Sequence, residues 1–318
     1  MTIRRVTILI FFLLIFFPGA HAQETELINT SNSKLPEDNL WSIAIDQAGN
    51  KWLGTAHAGL VKYDGQNFVV FDKSNSPVTN NVISTIYIDK KNNVWVPQKN
   101  GVAKFNGTSW TMYDGSVSPL LTIELYKIKE GPDGRLYFSS KNGIITFDGS
   151  AWKKLDLPGD HAYNVLNLDV GKNGQIAAGC DTCLLLYDGK KWTRLDENNS
   201  ELQVGTVRSV KFMTDGSLYI GYGGGFGKGG FSVLKNGTWK HFSKNNSALP
   251  DQMVRDIKVT DKGVIWMATN DGLAEIENEN IKALKFWPGR FSNGISGIAL
   301  DNDGSVWAVT FKGLVHVK

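Results

Sequence analysis

Apolar and polar residues alternate in short runs along the chain, and residues that favour turns separate the runs. In one unit, alternate residues of 41–45 are apolar, and similar runs follow at 51–55, 60–63 and 68–71. Asp64-Gly65 between the last two runs is a strong β-hairpin signal. Four short strands at this spacing, with no helical periodicity after residue 22, predict one antiparallel sheet.

The same unit recurs seven times. Its first turn closes on a glycine or asparagine at intervals of 40 to 47 residues, at Gly49, Asn92, Gly134, Gly174, Gly216, Gly263 and Gly304. The third residue after each is Trp52, Trp95, Tyr137, Ala177, Tyr219, Trp266 and Trp307. A β-type period near 42 residues is typical of propeller blades, in which large residues at this position fill the space between sheets.

We therefore predict an all-β fold, a seven-bladed β-propeller of four-stranded antiparallel blades forming one domain over residues 23–318. The predicted blades span approximately residues 40–72, 82–114, 122–156, 163–196, 206–243, 253–287 and 294–318. The last unit holds only three strands, whereas residues 25–29 match the outer strand of other units. We expect this segment to pair with residues 314–317 and close the ring, because closure removes open sheet edges.

Residues 1–22 have the pattern of a secretory signal peptide. Arg4 and Arg5 precede an apolar run, Pro18 ends it, and Ala20-His21-Ala22 offers a cleavage site. A retained membrane anchor is the alternative, although the run is short for a spanning helix. We expect export to the periplasm or the extracellular space, with no stable membrane insertion after cleavage.

The charge of the mature chain is close to balanced. Removing Arg4 and Arg5 leaves 32 of the 34 basic residues against 31 acidic ones. No run of Lys or Arg is present, so we expect no nucleic-acid partner. We expect a monomer whose partner is an uncharged or mixed ligand, such as a glycan fragment or a protein.

The repeat resembles the two-component regulator propeller repeat. The resemblance extends from Leu35 to Lys318 and is clearest in Trp52-Leu53-Gly54-Thr55, Trp266-Met267-Ala268-Thr269 and Trp307-Ala308-Val309-Thr310. In that family such repeats form the periplasmic sensor portion of hybrid histidine kinases of Bacteroidetes-type bacteria and are associated with polysaccharide breakdown products. This sequence differs in having seven repeats rather than two sets of seven, and no β-sandwich, transmembrane helix or kinase. The resemblance therefore implies a propeller that binds glycan fragments.

Candidate binding residues lie in the loops between the second and third strands, which meet on one face of a propeller around its channel. They are His57, Lys99, Asn100, Asn142, Asn270, Asp271 and Lys312. The loop from Gly221 to Gly230 is longer and glycine-rich, and we interpret it as a mobile flap carrying Tyr222, Phe226 and Lys228 over the channel. A plain flexible hairpin is the alternative.

No catalytic motif, metal site or cofactor site is apparent, so we expect a binding protein without cofactor or metal. The alternative is a propeller-type carbohydrate-active lyase or hydrolase, or a lactonase, using His57 with Asp181 or Asp271. A cell-envelope scaffold is a third interpretation. Cys180 and Cys183 are expected to form a local disulfide in an exported protein, although idle thiols and a redox or metal site are alternatives.

Overall fold

The computed structural model describes residues 24–159, 162–203, 205–224, 229–288 and 293–318. Within them, seven four-stranded antiparallel sheets form the blades of a β-propeller, as the sequence predicted. The first strands in chain order are β1 (Thr25–Ile28), β2 (Leu40–Ile45), β3 (Lys51–Thr55), β4 (Leu60–Tyr63), β5 (Phe68–Phe71), β6 (Tyr87–Ile88), β7 (Val94–Gln98), β8 (Gly101–Phe105) and β9 (Trp110–Asp114). A short 3₁₀ turn, Pro119–Thr122, leads to the third blade.

Blades 3 to 7 continue the order from innermost to outermost strand. Blades 3 and 4 comprise β10 (Leu125–Glu130), β11 (Leu136–Ser140), β12 (Gly143–Phe147), β13 (Trp152–Lys154), β14 (Val165–Val170), β15 (Ile176–Cys180), β16 (Leu184–Tyr187) and β17 (Trp192–Leu195). Blades 5 and 6 comprise β18 (Val207–Phe212), β19 (Leu218–Tyr222), β20 (Phe231–Lys235), β21 (Thr238–Phe242), β22 (Val254–Val259), β23 (Ile265–Thr269), β24 (Gly272–Glu277) and β25 (Asn280–Leu284). Blade 7 comprises β26 (Ile295–Leu300), β27 (Val306–Thr310), β28 (Gly313–Val317) and the N-terminal β1.

The N-terminal strand closes the ring. Thr25 pairs with Val317 and Ile28 with Leu314 in an antiparallel register, as predicted. Ile28 is buried in the cluster shared by blades 7 and 1, so closure combines backbone pairing with apolar burial.

A glycine at the start of the third strand lets the outer strand approach closely. In blade 7, Gly313 has a φ of +122°, and a Cβ there would lie 2.4 Å from the carbonyl oxygen of Ile28. Gly59 in blade 1 makes the same approach to the carbonyl of Phe71, also at 2.4 Å. Only glycine combines this φ with the short contact.

An Asp six residues before the large second-strand residue fixes that residue in three blades. The indole N–H of Trp52 donates to Asp46 at 2.9 Å, and the indole N–H of Trp95 donates to Asp89 at 2.7 Å. Asp301 and Trp307 repeat the bond at 3.1 Å. The same carboxylates accept backbone N–H groups of the first turn, so one side chain stabilises both the turn and the aromatic wedge.

The core lies between neighbouring sheets rather than within one. Trp95 of blade 2, for example, packs against Phe138 and Ile145 of blade 3. The innermost strands surround an axial channel. We call the face that carries the blade connections and the loops between second and third strands the upper face, and the opposite one the lower face.

The predicted signal peptide lies outside the described residues. Among the residues that are described, no helix is long and apolar enough to cross a bilayer.

Candidate ligand-binding face

Hydrogen bonds join the second-to-third-strand loops to the blade connections on the upper face. The Ala56 N–H donates to the carbonyl of Asn39 at 3.0 Å, and that of Gly223 donates to Thr206 at 2.8 Å. Each loop is thus fixed by the segment that enters the innermost strand. This arrangement holds the loop side chains on a rigid scaffold.

His57 has a carboxylate partner that the sequence did not reveal. Its Nδ1 lies 2.8 Å from Glu37 Oε1, while Glu37 Oε2 accepts the backbone N–H groups of His57 and Ala58. Burial tends to raise the pKa of Glu37, but these hydrogen bonds outweigh it and lower the pKa. The His57 side chain is 82% exposed, so the pair stands on the surface and not in an enclosed pocket.

Lys99 and Asn100 line a recess of about 470 Å³ between blades 2 and 3. Asn142 lines a separate recess of about 370 Å³ with Tyr163 of blade 4. The structure therefore does not bring these three candidates to one site.

Asn270 and Lys312 lie on the upper face of blades 6 and 7 with partners already in place. Asn270 Oδ1 accepts a hydrogen bond from Arg255 at 3.1 Å. The Lys312 ammonium lies 4.7 Å from the ring centroid of Trp287 and 5.8 Å from that of Phe311. These cation–π contacts order the lysine beside an exposed aromatic ring.

Two exposed aromatic side chains border the start of β26, and the sequence analysis identified neither. Phe311 is 46% exposed and Trp41 is 42% exposed. A Cβ on Gly294 would touch the ring of Phe311, and one on Gly297 would approach the backbone of Trp41. Gly294 thus leaves space beside the Phe311 ring, and Gly297 lies against the Trp41 backbone. We call Trp41, Arg255, Asn270, Phe311 and Lys312 the blade 7 sector.

Sequence features did contain a signal for this sector. Trp41 starts the alternation of the first innermost strand, where the equivalent residue of blade 7 is Ser296. Trp41 shares its alternation with the apolar residues Ile43 and Ile45, a pattern that favours burial. The structure shows that this position faces the mouth of the channel.

Two of the predicted site residues are buried in the structure. Tyr222 lies in β19 rather than on a flap and is almost fully buried, and its hydroxyl is hydrogen-bonded with Ser232 at 2.7 Å. Burial raises the pKa of Tyr222 to about 12. Asp271 is also buried, where it pairs with Lys285 and accepts from Asn293, so it is unavailable to a ligand. Phe226 and Lys228 lie outside the described residues.

Cys180, the last residue of β15, and Cys183, just before β16, are buried free thiols on either side of the blade 4 loop. The predicted disulfide is not formed in the structure, and its formation on oxidation stays a prediction. A hydrogen bond between the thiols lowers the pKa of Cys183 and raises that of Cys180. Arg194 further lowers the pKa of Cys183.

Comparison with known proteins shows likeness in fold. No protein-family model matches the chain, and no curated protein matches it in sequence. Among solved structures, the extracellular domain of a putative hybrid two-component system from B. thetaiotaomicron superposes with a TM-score of 0.76 at 18% identity, covering 93% of this chain and 42% of that chain. This chain therefore spans less than half the length of that structure.

Two further solved structures illustrate the range of proteins with this fold. Virginiamycin B lyase from Staphylococcus aureus, in a catalytically inactive form with quinupristin, gives a TM-score of 0.75 at 14% identity and covers 93% of this chain and 99% of its own. PorZ, a surface component of the type-IX secretion system of Porphyromonas gingivalis, gives a TM-score of 0.67 at 18% identity. The match covers 88% of this chain and 46% of that chain. At these identities the likeness establishes the seven-bladed propeller and leaves the role to the chain's own residues.

Proposed function

We propose that this protein is an exported, non-enzymatic binding protein that holds a glycan fragment in the blade 7 sector of the upper face. The observation that carries the proposal is the pair of exposed aromatic side chains, Trp41 and Phe311, on the neighbouring blades 1 and 7. Exposed apolar surface beside polar groups on a rigid scaffold is typical of a ligand site.

The sector offers both kinds of contact that a saccharide needs. The apolar C–H face of a sugar ring packs on an aromatic ring, which contributes through burial and dispersion. Arg255, Asn270 and Lys312 supply donors and an acceptor for hydroxyl groups at the edge of the same surface. Gly294 leaves room beside Phe311 and Asn270, since a Cβ there would touch both residues.

Binding without chemistry fits the geometry of His57 better than catalysis. Of the acidic partners considered for it, Asp271 is engaged with Lys285 and Asp181 accepts from Asn164 at 2.9 Å. Glu37 does orient His57, but the ring is mostly in solvent, where a substrate would not be shielded from water. Catalysis would require the His57–Glu37 pair to act on a ligand, and virginiamycin B lyase is an enzyme with the same fold.

Several observations support the wider role. The signal-peptide pattern of residues 1–22 favours export. The resemblance to the two-component regulator propeller repeat and the fold of an extracellular domain of a hybrid two-component system favour a sensing or capture role outside the cytoplasm. A protein partner is the alternative occupant of this face.

The test is calorimetric titration of the mature protein with a panel of neutral and acidic oligosaccharides. Variants Trp41→Ala and Phe311→Ala are compared with Val69→Ala, which truncates an exposed side chain on the outer strand of blade 1. We expect each aromatic truncation to weaken binding about tenfold, equivalent to about 1.4 kcal/mol, and Val69→Ala to leave it unchanged. Equal affinity in all variants would contradict the assignment of the site.

Product analysis of the same mixtures separates binding from catalysis. We expect the ligands to be recovered intact with wild type and with His57→Ala. Cleavage by wild type that His57→Ala abolishes would instead establish the enzymatic alternative. Absence of binding across the whole panel would rule out a glycan as the occupant.

A further inference from the structure

A small polar cavity lies on the propeller axis below the upper mouth. Its volume is about 80 Å³, enough for several probe spheres of water size. The innermost strands of blades 3 and 6 contribute its charged lining residues, which are Lys127, Lys129, Asp256 and Lys258. The proposed glycan site uses none of them.

Positive charge exceeds negative charge around this cavity. Lys258 pairs with Asp256 at 3.1 Å. Lys129 and Lys211 share Asp169 at 3.7 and 3.1 Å. The cavity lining therefore holds three lysines against one aspartate, an excess of two positive charges, while Asp169 and Lys211 line a separate recess.

Lys127 has no partner. No carboxylate oxygen of the described residues lies within 4.0 Å of its ammonium, and no hydrogen bond to it is formed by them. Burial lowers the pKa of Lys127, with the positive charge of Lys258 adding to the effect and Asp256 opposing it. An uncompensated ammonium in such surroundings is unfavourable unless an anion or water accompanies it.

Two further polar side chains lining the cavity lack partners. Thr85 and Asn167 are each only 6% exposed and line the cavity with Lys127. Neither side chain makes a hydrogen bond with any described residue. In contrast, the hydroxyls of Ser42 and Ser209 in the same lining donate to backbone carbonyls at 3.1 Å. The Thr85 and Asn167 side chains can therefore hydrogen-bond with a solute or water in the cavity.

We propose that this axial cavity binds one small oxyanion, held by the ammonium of Lys127 and by hydrogen bonds from the Asn167 amide and the Thr85 hydroxyl. Lys129 and Lys258 balance the remaining negative charge of the anion, because Asp169 and Asp256 do not neutralise the lysine cluster. The occupant is a sulfate, a phosphate or a carboxylate, which share oxygen acceptors around a delocalised negative charge.

The upper mouth supports entry of an anion. Arg255 stands there near Arg208, and its pKa is lowered by burial and then by the positive charge of Arg208, with Asp251 opposing. Like charges at the mouth and lysines along the axis give a potential that attracts an anion into the channel.

Binding should weaken at alkaline pH. The pKa of Lys129 is lowered to about 8, first by burial and then by Lys258 and Lys211, against the opposing effect of Asp169. An anion favours the protonated form, so affinity is highest below about pH 8 and falls as the pH rises through it. The titratable groups that face Lys127 and Lys129 are Tyr87, Asp169, Lys211, Asp256 and Lys258.

The test is calorimetric titration of the full chain with sulfate, whose charge does not change between neutral and alkaline pH. We expect one site per chain, at least about tenfold weaker binding in Lys127→Met, and a similar loss on going from about pH 7 to about pH 9.5. Lys190→Gln, which removes an exposed lysine on a hairpin remote from the channel, should bind as wild type does. Equal sulfate affinity for Lys127→Met and Lys190→Gln, or no heat with any anion, would overturn the proposal.

Further arms identify the occupant and control for folding. Phosphate and acetate replace sulfate in parallel titrations: tighter binding of acetate assigns a carboxylate, and tighter binding of sulfate or phosphate assigns a tetrahedral oxyanion. Chloride binding as tightly as all three would contradict an oxyanion site. The melting temperature of anion-free Lys127→Met should equal or exceed that of wild type, because an uncompensated charge has been removed. Phe311→Ala truncates a side chain of the blade 7 sector that does not line the cavity, so it should retain sulfate binding, which keeps this site distinct from the proposed glycan site.

Discussion

Truncating Ile28 tests how strongly the N-terminal strand stabilises the ring. Ile28 is 7% exposed and packs with Leu35, Leu40 and Leu314 in the cluster between blades 7 and 1. Ile28→Ala removes three carbons from β1. No loop joins β1 to the other strands of blade 7, so only strand pairing and packing hold it there. Comparable truncations lower the free energy of unfolding by about 2–5 kcal/mol, and we expect about 3 kcal/mol here.

A second variant perturbs the same pairing through the backbone. Gly313→Ala places a Cβ against the Ile28 carbonyl at a φ of +122°, so β1 must shift or β28 must distort. Glu26→Ala is the matched control on β1, because Glu26 and Lys318 form a half-exposed pair at 3.5 Å. Such pairs contribute less than about 1 kcal/mol.

The assay is urea unfolding followed by tryptophan fluorescence, with hydrogen exchange of the β28 amides as a local readout. Ile28→Ala and Gly313→Ala should lower the midpoint and accelerate exchange in β28, whereas Glu26→Ala should do neither. If Ile28→Ala changed stability by no more than Glu26→Ala, the N-terminal strand would not be the closing element.

Three further predictions concern the turn, the channel and the cysteines. Asp89→Ala should lower the free energy of unfolding by about 2–3 kcal/mol in urea titrations, because the buried indole N–H of Trp95 loses its acceptor; a change below about 0.5 kcal/mol would contradict this. The folded pKa of Lys129, about 8 against 10.5 unfolded, means that the unfolded chain binds more protons between these values. Stability should therefore rise with pH across that window by up to about 3 kcal/mol relative to Lys129→Met, less what solvent screening removes; parallel pH profiles of the two proteins would refute it. Mild oxidation should join Cys180 to Cys183, seen as the loss of two hydrogens by intact-mass analysis, and a mass that stays unchanged would argue for idle thiols.

Sequence periodicity was sufficient for the architecture because each blade repeats the same local chemistry. Gly49 and its equivalents mark the first turn, Asp64-Gly65 and its equivalents mark the third, and Trp52 and its equivalents mark the wedge between sheets. The pairing of β1 with β28 followed from one missing strand at the end of the chain and one spare strand at its start.

The site was harder to predict because its side chains come together from distant segments. Glu37 reaches His57 from the blade connection 20 residues earlier, and nothing local in the sequence marks that contact. Glycine density suggested a flap from Gly221 onward, yet β19 continues to Tyr222, since pairing of that residue with Val207 outweighs the local flexibility. Loop boundaries beside glycines depend on such tertiary pairing.

The sequence contains a pattern that marks Lys127 and Lys129 as channel residues. Lys127 and Lys129 stand two residues apart on the innermost strand of blade 3, where the equivalent strand of blade 1 carries Ser42 and Ala44. Residues two apart share one face of a strand, so charges at both positions predict a polar channel wall. What the sequence could not provide is which lysine lacks a carboxylate, because this depends on side chains across the axis.

Hydrogen–deuterium exchange with a bound oligosaccharide tests the central claim, that the upper face at blade 7 is the working surface, most directly. The account predicts slower exchange in peptides that contain Trp41, Gly294 to Gly297 and Phe311, with no change in the outer strands or the lower-face turns. Protection confined to the lower face or to the outer strands would contradict it.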